Sequence, residues 1–128
     1  MRRFLFAVFV VVACATGAAA DSIEEAKSAY DRGDYAMAAQ LIRSLAEQGN
    51  ARAQNNMGGL YTQGRGVPQD FVRAHMWFTV AAAALSVDEG KAAMKNRDHV
   101  ASQMTAEQIG KAQEMARHCQ QSKFKECD

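Results

Sequence analysis

The stretch from Ala53 to Ala82, AQNNMGGLYTQGRGVPQDFVRAHMWFTVAA, limits the fold more than any other part of the chain. Ala53, Met57, Leu60 and Tyr61 recur at helical intervals, and after a glycine-rich break Phe71, Ala74, Trp77, Phe78 and Ala81 do so again. Two apolar stripes of helical period joined by a short turn describe a helix–turn–helix packing unit. The remainder of the chain reads as imperfect copies or caps of that unit.

The rest of the 128 residues supports one all-α domain, since there is a single proline and few β-branched runs. Ser22 followed by Glu25 makes a capping box for a first helix to Asp31, with Ile23, Ala26 and Tyr30 on one face. Gly33 ends it. Asp34 is placed to cap a second helix with Tyr35, Ala38, Ala39, Ile42, Leu45 and Ala46 inward and Gln40, Arg43, Glu47 and Gln48 outward. Gly49 stops that helix and Asn50 caps a third, Ala51 to Gln63, whose interior carries Gly58-Gly59. Each interior glycine costs about 1 kcal/mol against alanine. Close approach of a neighbouring helix at Gly58 is the expected compensation.

Gly64-Arg65-Gly66-Val67-Pro68 breaks the pattern, with Pro68 expected near the first position of a fourth helix over about Gln69 to Leu85. No strand precedes this GxG and no Lys-Ser/Thr follows it, so it reads as a turn and not as a phosphate cradle. Ser86 with Glu89 and Thr105 with Gln108 make two further capping boxes, opening a fifth helix to about Met104 and a sixth to about Cys119. The last carries Ile109, Ala112, Met115 and Ala116 on one face. Six helices with short connections form about three antiparallel pairs, the plan of a short right-handed solenoid.

Residues 1–20 run from a basic start (Arg2, Arg3) through an apolar stretch, Phe4 to Ala13, to Ala18-Ala19-Ala20, the order of a cleaved secretory signal peptide. The apolar stretch is too short to span a bilayer as a helix. A cut after Ala20 gives a mature chain starting at Asp21, periplasmic in a bacterial cell and not inserted in the membrane. Val11-Val12-Ala13-Cys14 also fits a lipobox, the alternative being a membrane-anchored lipoprotein lipidated on Cys14. The twin arginines lack the polar residue and spacing of a twin-arginine signal. Losing Arg2 and Arg3 takes the formal net charge from +1 to −1, and without a basic cluster there is no electrostatic footprint for nucleic acid or anionic lipid.

After such a cut Cys119 and Cys127 are the only cysteines, and in an oxidising compartment a disulfide between them is the natural reading. It would pin the tail over 120–128, including Phe124, onto the last helix. The spacing is not that of a redox-active Cys-x-x-Cys. His118 and Cys119 point about 100° apart on a helix and His75 and His99 are distant in sequence, so no metal site or other cofactor is expected. No serine or cysteine stands in a recognisable triad context. Glu24, Glu25, Asp31 and Asp34 could serve as an acid and base, but acids clustered near helix starts serve capping and the helix dipole.

Ala53, Met57, Gly58, Tyr61, Gly64, Gly66, Val67, Asp70, Ala74, Trp77, Ala81 and Ala82 together resemble a Sel1-like repeat, the tetratricopeptide-like unit with a longer inter-helix turn. Tyr30, Gly33, Tyr35, Ala39, Ala46 and Gly49 resemble the same unit with a shorter turn. The Glu89 to Arg117 portion departs, lacking the GxGV turn and the tryptophan, and looks like a closing cap. The resemblance covers most of 21–119. It implies a non-enzymatic exported scaffold that binds a protein or peptide, since the first helix of each pair lines a concave face in such folds. On the third helix that face would present Arg52, Asn55, Asn56, Gly59, Thr62 and Gln63, whose amides can bond an extended peptide backbone. The bare backbone at Gly59 would let a ligand come close. The alternative is a cell-envelope enzyme or peptidoglycan-binding accessory protein that uses the acids of the first repeat.

Overall fold

The computed structural model describes residues 16–128, with side chains from Ser22 onward. Its elements are α1 (Thr16–Asp31), α2 (Tyr35–Glu47), α3 (Ala51–Gln63), α4 (Phe71–Ala84), α5 (Val87–Ala101) and α6 (Ala106–Gln121), with no strand among the described residues. The apolar leader of the expected signal peptide and the alternative lipobox at Cys14 lie outside the described residues. No described helix is long and apolar enough to cross a membrane.

Local chemistry sets most boundaries. Asp34 caps α2 by accepting from the Met37 N–H, and Asn50 caps α3 by accepting from the Ala53 N–H at 3.0 Å. Between them Gly49 takes a left-handed conformation, so that its N–H reaches Ala46 O and the Asn50 N–H reaches Leu45 O, satisfying carbonyls that a helix end leaves open. Gly64 ends α3 in the same conformation. The Thr105–Gln108 capping box of α6 is complete, with the Thr105 hydroxyl accepting from the Gln108 N–H and the Gln108 side chain from the Thr105 N–H.

Four expectations at helix starts and ends need correction. α1 is helical from the first described residue, Thr16, so in the unprocessed chain Ser22 lies inside the helix and does not open it. Pro68 is three residues before α4, because Asp70 takes the cap by accepting from the Arg73 N–H at 3.0 Å and leaves Pro68 in the connection. Ser86 makes no cap bond; its hydroxyl donates to the Glu89 carboxylate at 3.2 Å, since Glu89 is drawn to Arg52 and away from the helix terminus. α5 stops at Ala101, where the Gln103 and Met104 N–H groups turn back onto Val100 O and Ala101 O.

α1 packs on α2, α2 on α3, α3 on α4, and α4 on both α5 and α6, whereas α5 and α6 scarcely touch each other. The last helix thus leans on the second repeat. α4 is the hub, burying Ala74, Met76, Trp77, Phe78, Val80 and Ala81 in one core with Met57, Leu60, Tyr61, Ile42 and Leu45. The α3–α4 crossing is close because Gly58 has no side chain: a Cβ there would sit 2.5 Å from the Phe78 ring. In the α3–α4 turn Gly66, at φ +72°, lies against the Tyr35 carbonyl and the Ala39 methyl, where a Cβ would overlap both. Beside it Arg65 lies over the rings of Tyr30 and Tyr35 at 5.6 and 5.1 Å, fastening the long turn of the second unit to the short turn of the first.

After α6, Phe124 lies half-buried against Gly49, and Cys119 and Cys127, both buried, bring their sulfurs to disulfide distance. Arg43, expected on a solvated face, is half-buried and donates to the Tyr61 hydroxyl at 2.6 Å.

Candidate functional site

On α3, Gln54, Met57, Gly58 and Tyr61 face the core, which turns Arg52, Asn55, Asn56, Gly59 and Gln63 to the other side at steps of three and four residues. These five line an open cavity of about 700 Å³. Ile23, Lys27 and Tyr30 of α1 form one wall and Glu89, Ala92 and Asn96 of α5 the other. The floor is apolar, made by Ile42, Leu45, Leu60 and Phe78. It is reachable because α1 and α3 scarcely touch each other, leaving a slot over the second layer of helices.

Gly59 sits at the centre of the α3 stripe, and among the described residues no atom lies within 4 Å of where its Cβ would be. Asn56 is exposed, while the Asn55 side-chain oxygen is shielded from solvent and has no hydrogen-bond partner among the described residues. Such an acceptor is costly to leave unpaired and marks a place where an N–H donor would be welcome.

The ends of the stripe are tied. Arg52 is ion-paired with Glu89 at 2.6 Å, joining α3 to α5, and this guanidinium, followed by the Ser86 hydroxyl, holds the Glu89 carboxyl below the ordinary carboxylate range. Arg52 therefore bridges the rim and is not a free cation awaiting a ligand. At the opposite end the Tyr30 hydroxyl donates to Gln63 Oε1 at 3.4 Å and itself accepts from Arg65. Thr62 does not belong with the other five. It lies roughly 60° round the helix from Gly59, towards the Gly58 side, and its hydroxyl donates to the Gly58 carbonyl at 2.8 Å.

Lys27, Tyr30, Glu89 and Asn96 were not expected at the cavity. The signal for the first two was in the sequence, since Ile23, Lys27 and Tyr30 stand at i, i+4 and i+7, a helical face like that of α3. Reading Ile23 and Tyr30 as packing residues alone hid it.

Of the acids weighed as catalytic groups, Glu24, Glu25, Asp31 and Asp34 are all exposed, none lines the cavity, and Asp34 is occupied as a cap. His75 is buried on α4, with its pKa lowered by burial and then by Arg97. His99 is exposed, and His118 pairs with Glu126 at 2.8 Å. The described histidines, cysteines and acids do not gather in threes as a metal site would need.

Compared with family models, the chain matches the Sel1 repeat twice, over residues 28–50 and 51–84. Among solved structures it is similar to a protective antigen present in uropathogenic Escherichia coli strains that displays an SLR fold, with a TM-score of 0.71 and 27% identity. That alignment covers 86% of this chain and 25% of the antigen, so the chain spans about a quarter of its neighbour's length. Comparison with curated proteins gave no match.

Proposed function

We propose that this chain, a Sel1-like repeat protein, is an exported, non-catalytic adaptor that binds a protein or peptide in the cavity between α1, α3 and α5. The observation that carries the reading is the open space over Gly59, bordered by the Asn55 and Asn56 amides above an apolar floor. A chain entering there can hydrogen-bond through its backbone to the amides and set an apolar side chain on Ile42, Leu45, Leu60 and Phe78. Helical repeat folds of this kind are typical protein-interaction scaffolds, which supports the same reading.

The test is site-specific photo-crosslinking in cells from position 56. A defined partner should crosslink there, and Gly59→Leu, which fills open space and leaves the packed side of α3 untouched, should abolish it with the helix content unchanged. Crosslinking that survives Gly59→Leu would place the partner elsewhere. Export is tested by the mature N-terminus: we expect Asp21, and a lipidated Cys14 would make the protein a lipoprotein.

A further inference from the structure

Away from the groove, three side chains from three helices converge on one carboxylate. Arg43 Nη1 of α2 donates to Asp128 Oδ2, the Tyr61 hydroxyl of α3 donates to Asp128 Oδ1 at 3.3 Å, and Arg73 Nε of α4 lies 3.3 Å from the same Oδ1. None of these four residues lines the groove.

The three donors are held in place by partners that do not involve the tail. Arg43 Nη2 is fixed on the Tyr61 oxygen at 2.6 Å, and Arg73 Nη1 on Asp70 Oδ2 at 2.7 Å. Asp70 is itself immobilised as the cap of α4. Positions 43, 61, 70 and 73 all fall within the two matched repeats, whereas Asp128 lies outside them. The repeat body therefore presents a pre-formed donor set, and the tail supplies only the acceptor.

Without Asp128 the cluster would hold two guanidinium groups against the single carboxylate of Asp70. The buried Tyr61 hydroxyl, whose oxygen already accepts from Arg43, would lose the acceptor of its proton. Burial keeps the Tyr61 pKa above its ordinary value, so this hydroxyl stays a donor throughout the physiological range. A net positive cluster with convergent N–H and O–H donors selects a carboxylate, by charge-assisted hydrogen bonds to both oxygens.

We propose that Arg43, Tyr61 and Arg73 form a carboxylate-binding site of the repeat body, occupied in cis by Asp128 and opened to the carboxylate of an acidic peptide when the tail is released. Phe124 against Gly49 and a Cys119–Cys127 disulfide hold the tail in place. Release follows exchange with a dithiol reductant: the dithiol becomes a disulfide, and its two electrons and two protons leave Cys119 and Cys127 as thiols. While tethered, the cis carboxylate competes at an effective concentration on the order of millimolar.

The experiment uses the full chain with Asp128→Ala, a substitution at an exposed position, and titrates acetate while following the Arg43 and Arg73 Nε–Hε signals and the Tyr61 ring by NMR. Saturable shifts are expected at an acetate concentration about tenfold below that needed by the native oxidised protein, and Arg73→Gln added to Asp128→Ala should remove them. Dithiothreitol should move the native protein towards the variant. An acetylated, amidated tri-aspartate peptide should bind the variant more tightly than acetate does. No acetate binding to Asp128→Ala, or equal binding to the native oxidised protein, would show that the cluster only anchors the tail. Acetate binding without tri-aspartate binding would overturn the acidic-peptide assignment.

Discussion

Gly58 and Gly59 are adjacent in one helix, yet alanine at the two positions should move stability in opposite directions. Each substitution gains about 1 kcal/mol of helix propensity, because alanine has less backbone entropy to lose. At Gly59 nothing opposes the gain, since among the described residues no atom stands within 4 Å of the new methyl. At Gly58 the methyl would meet three atoms of the Phe78 ring at 2.5, 2.6 and 2.8 Å. Ordinary carbon contacts are near 3.5 to 4.0 Å, so the ring must retreat by about 1 Å. Phe78 is 3% exposed and, apart from its edge on the groove floor, packed among buried residues, so a retreat either crowds those neighbours or pushes the ring out into the groove. Overpacking of this kind costs about 1 to 3 kcal/mol, and the crowding here belongs in the upper half of that range.

The expected result is a stabilisation of about 1 kcal/mol for Gly59→Ala and a loss of about 1 to 2 kcal/mol for Gly58→Ala. The pair should be separated by on the order of 10 °C in melting temperature, at roughly 4 to 8 °C per kcal/mol for a domain of this size. Urea unfolding followed by helix ellipticity and by the fluorescence of Trp77, the single tryptophan, reads both changes, with unchanged slopes showing that the unfolded states are comparable. If both variants were stabilised alike, the α3–α4 approach at Phe78 would not exist as described. If Gly59→Ala were destabilised, something would have to occupy the groove above it.

Three further outcomes follow from capping, burial and the tail. Thr105→Ala should cost about 1 kcal/mol by urea unfolding because it removes the cap bond to Gln108, whereas Ser86→Ala, whose hydroxyl makes no cap bond, should change stability by only a few tenths. His75 has a folded pKa below its ordinary value of 6.5, so the unfolded chain binds the extra proton first; stability should be complete above pH 6.5 and fall as the pH drops towards the folded pKa. His75→Gln should flatten that slope in unfolding curves taken across this window, and an unchanged slope would assign it to other groups. Mass spectrometry without reductant should find Cys119 linked to Cys127, and Cys127→Ser should cost roughly 2 to 3 kcal/mol for opening a loop with a sequence separation of 8; free thiols at both positions in the folded exported protein would remove the premise.

What could be read in the sequence was whatever is encoded within one turn of helix or one turn of chain. The bounds of α3 follow from Asn50 and Gly64, a cap and a left-handed stop that act on their immediate neighbours. The start of α6 follows from Thr105 and Gln108 for the same reason. Ser86 and Glu89 have the same spacing and fail to form the same box: Arg52, 37 residues away in sequence, takes one Glu89 oxygen, and the Ser86 hydroxyl donates to the other instead of capping the helix. Arg43 fits a solvated face by periodicity, but Tyr61 and the tail cover it, and no local pattern announces that. The close packing of α6 on α4, and its near-absence from α5, is likewise a consequence of which apolar faces remain uncovered after the second repeat has formed.

The groove shows the same limit within a single helix. Steps of about 100° per residue put Gly58 and Gly59 on different faces, one pressed to Phe78 and the other bare. Sequence pattern can assign the faces, because Met57 and Tyr61 mark the packed one. It cannot tell whether the opposite face meets another helix, solvent or a cavity, since that depends on how far α1 and α5 stand from α3. Here α1 leans on α2 and leaves α3 uncovered, so the apolar side chains of the second layer are seen through the gap. Thr62 falls outside the cavity on the same geometry: its hydroxyl is spent on the Gly58 carbonyl, towards the side where α3 packs on α4. A glycine beside an unpartnered amide oxygen, over apolar side chains that nothing covers, combines a steric opening, a hydrogen-bond vacancy and a hydrophobic gain in one place. The Gly59→Leu crosslinking experiment therefore removes the steric opening alone, while leaving Asn55 and the apolar floor as they are, and asks whether binding depends on access to them.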